Sequence, residues 1–239
     1  MNGPKRALPH RLIPTSDLPL LGLTLLLVED SRVASEALRQ MCLHSGARLR
    51  RADCIRSARR HLAAYFPSVS IIDMGLPDGD GADLISDLRA RGGDLSPVIA
   101  LSGAPETEAA ARRAGAQAFL HKPLAGLGVF QQTILKLLPP AARPRGLRAL
   151  SSATLAHDDM ALRDDLGHAA RLMRGPLTPE TRRYVADFLV GVSRCAQDAA
   201  LTRAAEAAAM TAADPNTAPM DDLRSLVDDR LRTGRAAFV

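Results

Sequence analysis

Five side chains suited to phosphate and metal chemistry stand just past short apolar runs of this sequence. Glu29 and Asp30 follow residues 23–28, Asp73 follows 69–72, Ser102 follows 98–101, and Lys122 follows 118–120 and precedes Pro123. Three carboxylates brought together repel one another, and a hard divalent cation relieves that repulsion. Mg²⁺ prefers oxygen ligands and keeps several waters, so two side chains and a backbone carbonyl suffice to hold it. A cation so held can bridge Asp73 to an incoming phosphoryl group and neutralise developing charge. Ser102 can donate a hydrogen bond to a phosphoryl oxygen, and Lys122 can set an ammonium beside it. The chain holds three lysines, Lys5, Lys122 and Lys136, among 31 basic residues. Arginine is therefore its default cation, and a lysine at this position suggests a need for a compact ammonium. The bland alternative makes these ordinary loop residues, which requires several loops to agree by accident.

The elements that must position these groups are legible in the pattern. Residues 23–28 form a continuous apolar run, as expected of a strand buried on both faces. Helical spacing follows at 33–45 and ends near Gly46. Further strands are expected at 49–52, 69–72, 98–101 and 118–120, and further helices at 55–65, 81–91, 106–114 and 129–138. Five strands alternating with five helices predict a doubly wound α/β fold, a parallel sheet covered on both faces. Ligands of such sheets bind at the carboxyl ends of the strands, which is where all five side chains fall.

These residues, in this order, resemble the receiver domain of two-component response regulators. The matching text is Leu27-Val28-Glu29-Asp30, then Asp73-Met74-Gly75-Leu76-Pro77-Asp78-Gly79-Asp80-Gly81, then Leu101-Ser102-Gly103-Ala104, then His121-Lys122-Pro123. The resemblance covers roughly half the chain and implies a flavodoxin-like sheet of order 2-1-3-4-5. It implies that Asp73 accepts a phosphoryl group from a phosphohistidine, on a sensor histidine kinase or a histidine phosphotransfer protein. Asp73, Ser102 and Lys122 would do the chemistry. Glu29, Asp30, Asp73 and the Gly75 carbonyl would hold Mg²⁺. Ser102 and Phe119 would form a switch that changes the surface made by the fourth helix, fifth strand and fifth helix.

The rest of the chain says less. Residues 1–21 contain four prolines and read as an irregular tail, 22–138 as the receiver, and 139–150 as a stiff Pro/Arg linker in which Arg143, Arg145 and Arg148 are read as solvated. Residues 151–213 read as a helical hairpin module and 214–239 as a further helical segment. One helix is expected from about 152 to 174. A second, capped by Thr178 with Pro179 at its first position, is expected to run to about 213. Leu155, Leu162, Leu166, Ala169 and Met173 form the apolar stripe of the first. Val185, Phe188, Leu189, Val192, Ala196 and Ala199 form that of the second. Two helices cannot bury these stripes alone, so the module is expected to close into a hairpin, pack on the receiver, or meet a second copy as a homodimer. His157 and His168 share a face read as solvated. A phosphorelay role for either lacks the flanking residues that phosphotransfer helices carry.

Charge limits the output. The net charge is +5, yet residues 150–239 carry 11 Arg and no Lys against 13 Asp plus Glu, a net −2. Nucleic-acid readers concentrate positive charge in the binding domain, so a transcription factor with a helical DNA-binding output is the alternative rather than the first reading. The 18–28 run is too short and too broken to span a bilayer, and Cys42, Cys54 and Cys195 are too scattered for a zinc site or disulfide framework. A cytoplasmic signalling switch is the expectation, autocatalytic in its own phosphorylation rather than an enzyme acting on a separate substrate.

Overall fold

Strand β1 (Thr24–Val28) is apolar and buried after Thr24 because both of its faces are covered. Leu25 and Leu27 point into one core and Leu26 and Val28 into another, the alternation that a pleated strand imposes. The computed structural model describes residues 13–90, 96–144, 159–214 and 218–233. In it β1 pairs in parallel with β2 (Arg48–Ala52) on one side and β3 (Val69–Asp73) on the other. The sheet continues through β4 (Val98–Ser102) to β5 (Ala118–His121), again in parallel. The order is therefore 2-1-3-4-5, as the resemblance implies. The central strands β3 and β4 are wholly buried. Edge strand β2 exposes Arg48, Arg50 and Arg51, charges that discourage pairing with another strand.

Helices cover both faces. Leu38, Met41 and Cys42 of α1 (Arg32–His44) and Leu127, Phe130 and Ile134 of α5 (Leu127–Leu137) close one core. On the other face stand α2 (Ile55–Ala64), α3 (Gly81–Ala90) and α4 (Glu108–Ala114), through Ile55, Ala58, Leu84, Ile85, Leu88 and Ala111. Chain direction across the sheet reverses between β1 and β3, which opens a crevice at their carboxyl ends. A two-residue hairpin, Gly75–Leu76 with Gly79–Asp80, follows β3 and was not foreseen. The tail is irregular where it is described, but Leu20 is buried in the α1/α5 core and its N–H bonds Ser45. Arg143 is exposed, as expected, and its guanidinium also bonds the carbonyls of Leu138 and Lys136 at the end of α5. Arg145 and Arg148 lie outside the described residues.

The C-terminal part is all helix among the described residues: α6 (Asp159–Met173), α7 (Pro179–Cys195), α8 (Ala199–Met210) and α9 (Ala218–Thr233). Thr178 caps α7, its hydroxyl oxygen accepting from Thr181 N–H at 3.2 Å, with Pro179 following. The helix expected to run on to 213 is broken at residues 196–198. Gln197 turns to φ +57°, and Asp198 caps α8 by accepting from Leu201 N–H. Alanine composition favours helix on both sides of the break. What it cannot register is the tertiary partner Arg230, which holds the other Asp198 oxygen at 2.8 Å. Leu162, Leu166, Ala169 and Met173 are buried as expected, as are Val185, Phe188, Leu189, Val192 and Ala196, while Ala199 is exposed. Met220, Leu223 and Val227 of α9 join the same core, so four helices share what two could not bury. Val33 of α1 also belongs to that core, which ties the helical module to the receiver.

Candidate functional site

The carboxyl end of β1 delivers Glu29 and Asp30 to the crevice. Glu29 N–H continues the ladder onto Ala52, which forces its side chain inward, where it is fully buried. One Glu29 oxygen accepts from Ser31 N–H at 3.0 Å, and the other lies 2.7 Å from Lys122 Nζ. Asp73 closes β3, and its Oδ1 is 3.0 Å from the same ammonium. Gly81 is required behind it: a Cβ there would fall 2.0 Å from the Asp73 carbonyl oxygen. Lys122 is positioned by its own N–H bonding Ser102 at 2.8 Å across β5 and β4. The Ser102 hydroxyl accepts from Ala104 N–H at 3.0 Å.

Glu29, Asp30, Asp73, Gly75, Ser102 and Lys122 thus line one cleft of about 470 Å³. Phe119 does not line it. Its ring is half-buried beside the core of α3 and α4 and packs against His121 at 4.8 Å. Asp78, central in the motif after β3, is used structurally, its carboxylate accepting from the Ile55 and Arg56 N–H groups at the start of α2.

Electrostatics mark the cluster as unbalanced. Glu29, Asp30 and Asp73 place ligand oxygens within 4.8 Å of one another, against a single ammonium. Burial pushes the Glu29 carboxyl up to about 7, with Asp30 adding to that and Lys122 opposing it. Burial likewise raises Asp73 to about 7, and raises Asp30 to about 6 with help from Asp73. For Lys122, burial disfavours the charge, but Asp73 and Glu29 outweigh it and hold the ammonium protonated well above its ordinary range. Three hard oxygen donors carrying an excess of two negative charges fit a divalent cation such as Mg²⁺.

The helical module closes the other side of this cleft, and the polar residues it brings there escaped the sequence reading. The Tyr184 hydroxyl donates to Asp30 Oδ2. Asp165 of α6 reaches the start of α1, where it accepts from the Ser31 hydroxyl at 2.8 Å and from the Arg32 and Val33 N–H groups at 2.9 and 3.0 Å. Burial pushes the Asp165 carboxyl up while these three donors work against the shift. Arg194 donates to the Gly103 carbonyl. A signal was available for Asp165: it sits between Leu162 and Leu166 on the apolar stripe, a charge at a core position. His168 is not solvated as expected; its ring is half-buried and meets Phe188 edge-on at 5.6 Å. His157 lies outside the described residues.

Comparison with known proteins agrees with this geometry. The family model of the response regulator receiver domain matches residues 25–132. The KDP operon transcriptional regulatory protein KdpE of Escherichia coli is 35% identical over 173 residues, covering 69% of this chain and 71% of KdpE. The virulence transcriptional regulatory protein PhoP of Salmonella typhimurium is 37% identical over 78 residues, and the match spans 32% of this chain and 34% of PhoP. A solved putative response regulator from Chloroflexus aurantiacus is 28% identical, covers 51% of this chain and 98% of its own, and has a TM-score of 0.44. With a sheet of this order, the family match and KdpE's identity over more than two thirds of its length, the chain belongs to the response regulators of two-component systems, and residues 25–132 are its receiver domain.

Proposed function

We propose that the chain is a phosphorylation-dependent switch whose phosphoacceptor is Asp73. The observation that carries this reading is the Lys122 ammonium held between Asp73 and Glu29, with Asp30, Gly75 and Ser102 on the same cleft. An Asp73 carboxylate oxygen attacks the phosphorus of a phosphohistidine on a histidine kinase or phosphotransfer protein. The new O–P bond forms as the P–N bond breaks, and its electron pair returns to the donor's imidazole, which then takes up a proton. Lys122 balances charge on the phosphoryl oxygens, and the Ser102 hydroxyl donates to one of them. Glu29, Asp30, Asp73 and the Gly75 carbonyl would hold Mg²⁺, which when bound neutralises charge in transfer and in hydrolysis. Water later attacks the phosphorus and returns free phosphate and the Asp73 carboxylate. Movement of Ser102 toward the phosphoryl group, with Phe119 turning inward, would carry the signal to the surface of α4, β5 and α5.

Incubation with Mg²⁺ and acetyl phosphate tests the assignment. The unsubstituted chain should gain one phosphoryl group by intact mass, and Asp73→Asn none. Uptake by both, or by neither even with excess donor, rejects Asp73 as acceptor.

Output through partner binding or dimerisation of the helices is the reading favoured by their acidic balance. A transcriptional output is the second reading, because KdpE and PhoP are named transcriptional regulators. Salt-dependent binding to duplex DNA supports it, and no binding at low salt rejects it. Relay of the group onto His168 has less support, since that ring is packed against Phe188. No helix among the described residues is long and apolar enough to cross a membrane.

A further inference from the structure

A second groove lies at the amino-terminal end of the sheet, the end opposite the phosphoacceptor. Thr24, the first residue of β1, stands on it, whereas Asp73 stands where β3 ends. Arg48, Arg50, Arg60, His61, Tyr65 and Phe66 line this groove, whose volume is about 730 Å³. No carboxylate lines it. Among the described residues Arg48, Arg50 and Arg60 have no carboxylate partner, while the adjacent Arg59 pairs with Asp87 at 2.6 Å. We propose that the groove binds single-stranded nucleic acid. The proposal does not rest on the phosphoacceptor reading of Asp73.

Strand pleating sets the arginines on one face. Leu49 turns toward the core of α1 and α5, so Arg48 and Arg50 share the other face of β2 with Ala52. Helix α2 covers that face at Ala52, which packs with Ile55 and Ala58, and leaves Arg48 and Arg50 exposed. The two arginines are roughly 6.6 Å apart along the strand, the order of one nucleotide step in an extended chain. Near its end α2 adds Arg60 and His61, and the residues that follow place Phe66 in solvent at 92% exposure. Tyr65 is half-buried, with His61 edge-on at 5.7 Å, and its hydroxyl has no hydrogen-bond partner. Burial pushes that hydroxyl up, and Arg50 opposes the shift.

Protection of a sheet edge accounts for arginines on β2. It does not account for Arg60 on the helix, or for an aromatic ring left in water beside them. A single strand of nucleotides repeats a phosphate and a flat ring at every unit. The arginines match the first and Phe66 the second, since every base has a face on which an aromatic ring stacks. The unpartnered Tyr65 hydroxyl can donate to a phosphate or base oxygen. An acidic peptide would satisfy the cations and leave Phe66 in water. A duplex offers phosphates but keeps its bases stacked on one another, out of reach of Phe66. The charge distribution agrees: the net charge is +5 although residues 150–239 carry −2, so the positive surplus lies in the part of the chain that holds this groove.

The chain contains no tryptophan, so Phe66→Trp sets a single indole emitter at the groove without entering either receiver core. The full chain with that substitution is titrated with oligouridine and oligothymidine of about eight nucleotides, with a hairpin duplex of similar charge, and with polyglutamate. The single strands should quench the indole, and the duplex and polyglutamate should not. For the unsubstituted chain, anisotropy of a labelled strand should show affinity falling roughly twentyfold between about 50 and 200 mM salt, the slope of three phosphate contacts. Phe66→Ala should weaken binding about tenfold and leave that slope unchanged. Arg48→Gln with Arg50→Gln should cut the slope to about a third. Arg48, Arg50 and Phe66 are exposed, so these variants keep the fold. Quenching by either strand supports the proposal, and the tighter of the two identifies the ligand as RNA or DNA. No binding of either strand at low salt, equal quenching by polyglutamate, tighter binding of the duplex, or a salt slope unchanged in the arginine variant overturns it.

Discussion

Lys122 is the most exposed of the four buried polar residues Glu29, Asp73, Ser102 and Lys122 at the cleft, at 9%, yet it carries most of its charge balance. Removing it leaves Glu29 and Asp73 facing each other without compensation. Breaking a buried pair in this way costs about 3–5 kcal/mol, so Lys122→Ala should lower urea stability by that order at pH 8. The sign of the pH dependence follows from the carboxyls. Glu29 and Asp73 are both raised to about 7, largely by burial. A raised carboxyl contributes stability that is complete below its unfolded value and lost as pH rises through the folded one. The cluster therefore destabilises the cation-free receiver progressively as pH rises through about 7. Mg²⁺ should offset that loss: at a hundredfold excess over its Kd it adds about 2.7 kcal/mol. The thermal shift on adding Mg²⁺ should be larger at pH 8 than at pH 6. An equal shift at both, or one retained in Asp73→Asn with Asp30→Asn, would count against cation binding at these carboxylates.

At the scale of elements, the turn between α7 and α8 shows a single residue serving two structures. Asp198 caps α8 through Leu201 N–H and holds Arg230 of α9 by its other oxygen, both side chains being largely buried. Burial pushes its carboxyl up, but the Arg230 hydrogen bond and the capping N–H groups outweigh that and hold it below the usual range. Losing an N-cap costs about 1 kcal/mol, and leaving a hydrogen-bonded charge without its partner adds about 1–3 kcal/mol. Asp198→Ala should therefore destabilise the helical module by about 2–4 kcal/mol in urea titration. Since the folded value is depressed, this contribution is present above the unfolded carboxylate value of about 3.9 and is lost as pH falls through the folded one. A loss under 0.5 kcal/mol at pH 7 would mean that the turn is held by packing alone.

On the scale of the whole molecule, the receiver and the helices are joined by few but specific contacts. Val33 of α1 is counted in the helical core rather than in either receiver core. Asp165, Tyr184 and Arg194 each reach a backbone or carboxylate group of the receiver. A shared core of this kind couples unfolding. Calorimetry of the unsubstituted chain should show one transition, and Asp165→Ala, which removes three hydrogen bonds between the two parts, should separate it into two. Two transitions in the unsubstituted chain would show that docking contributes little free energy.

The receiver was legible because each of its signals is local. Apolar runs such as 23–28 can bury both faces only in a covered parallel sheet, and the chemistry-bearing residues fall where such a sheet ends. Glu29, Asp30, Asp73, Ser102 and Lys122 could therefore be assembled before any coordinates. The helical part was legible only as helix. Residues 196–198 carry no glycine or proline, so the break there depends on Asp198 meeting Arg230 about thirty residues away. Asp165 stood out only as a charge on an apolar stripe and Tyr184 not at all, because their partners, Ser31 and Asp30, lie more than 130 residues distant. Periodicity tells which face of a helix must be buried, but not against what. That choice belongs to long-range packing, and here it set α7 over the Asp73 cleft and α6 against the start of α1.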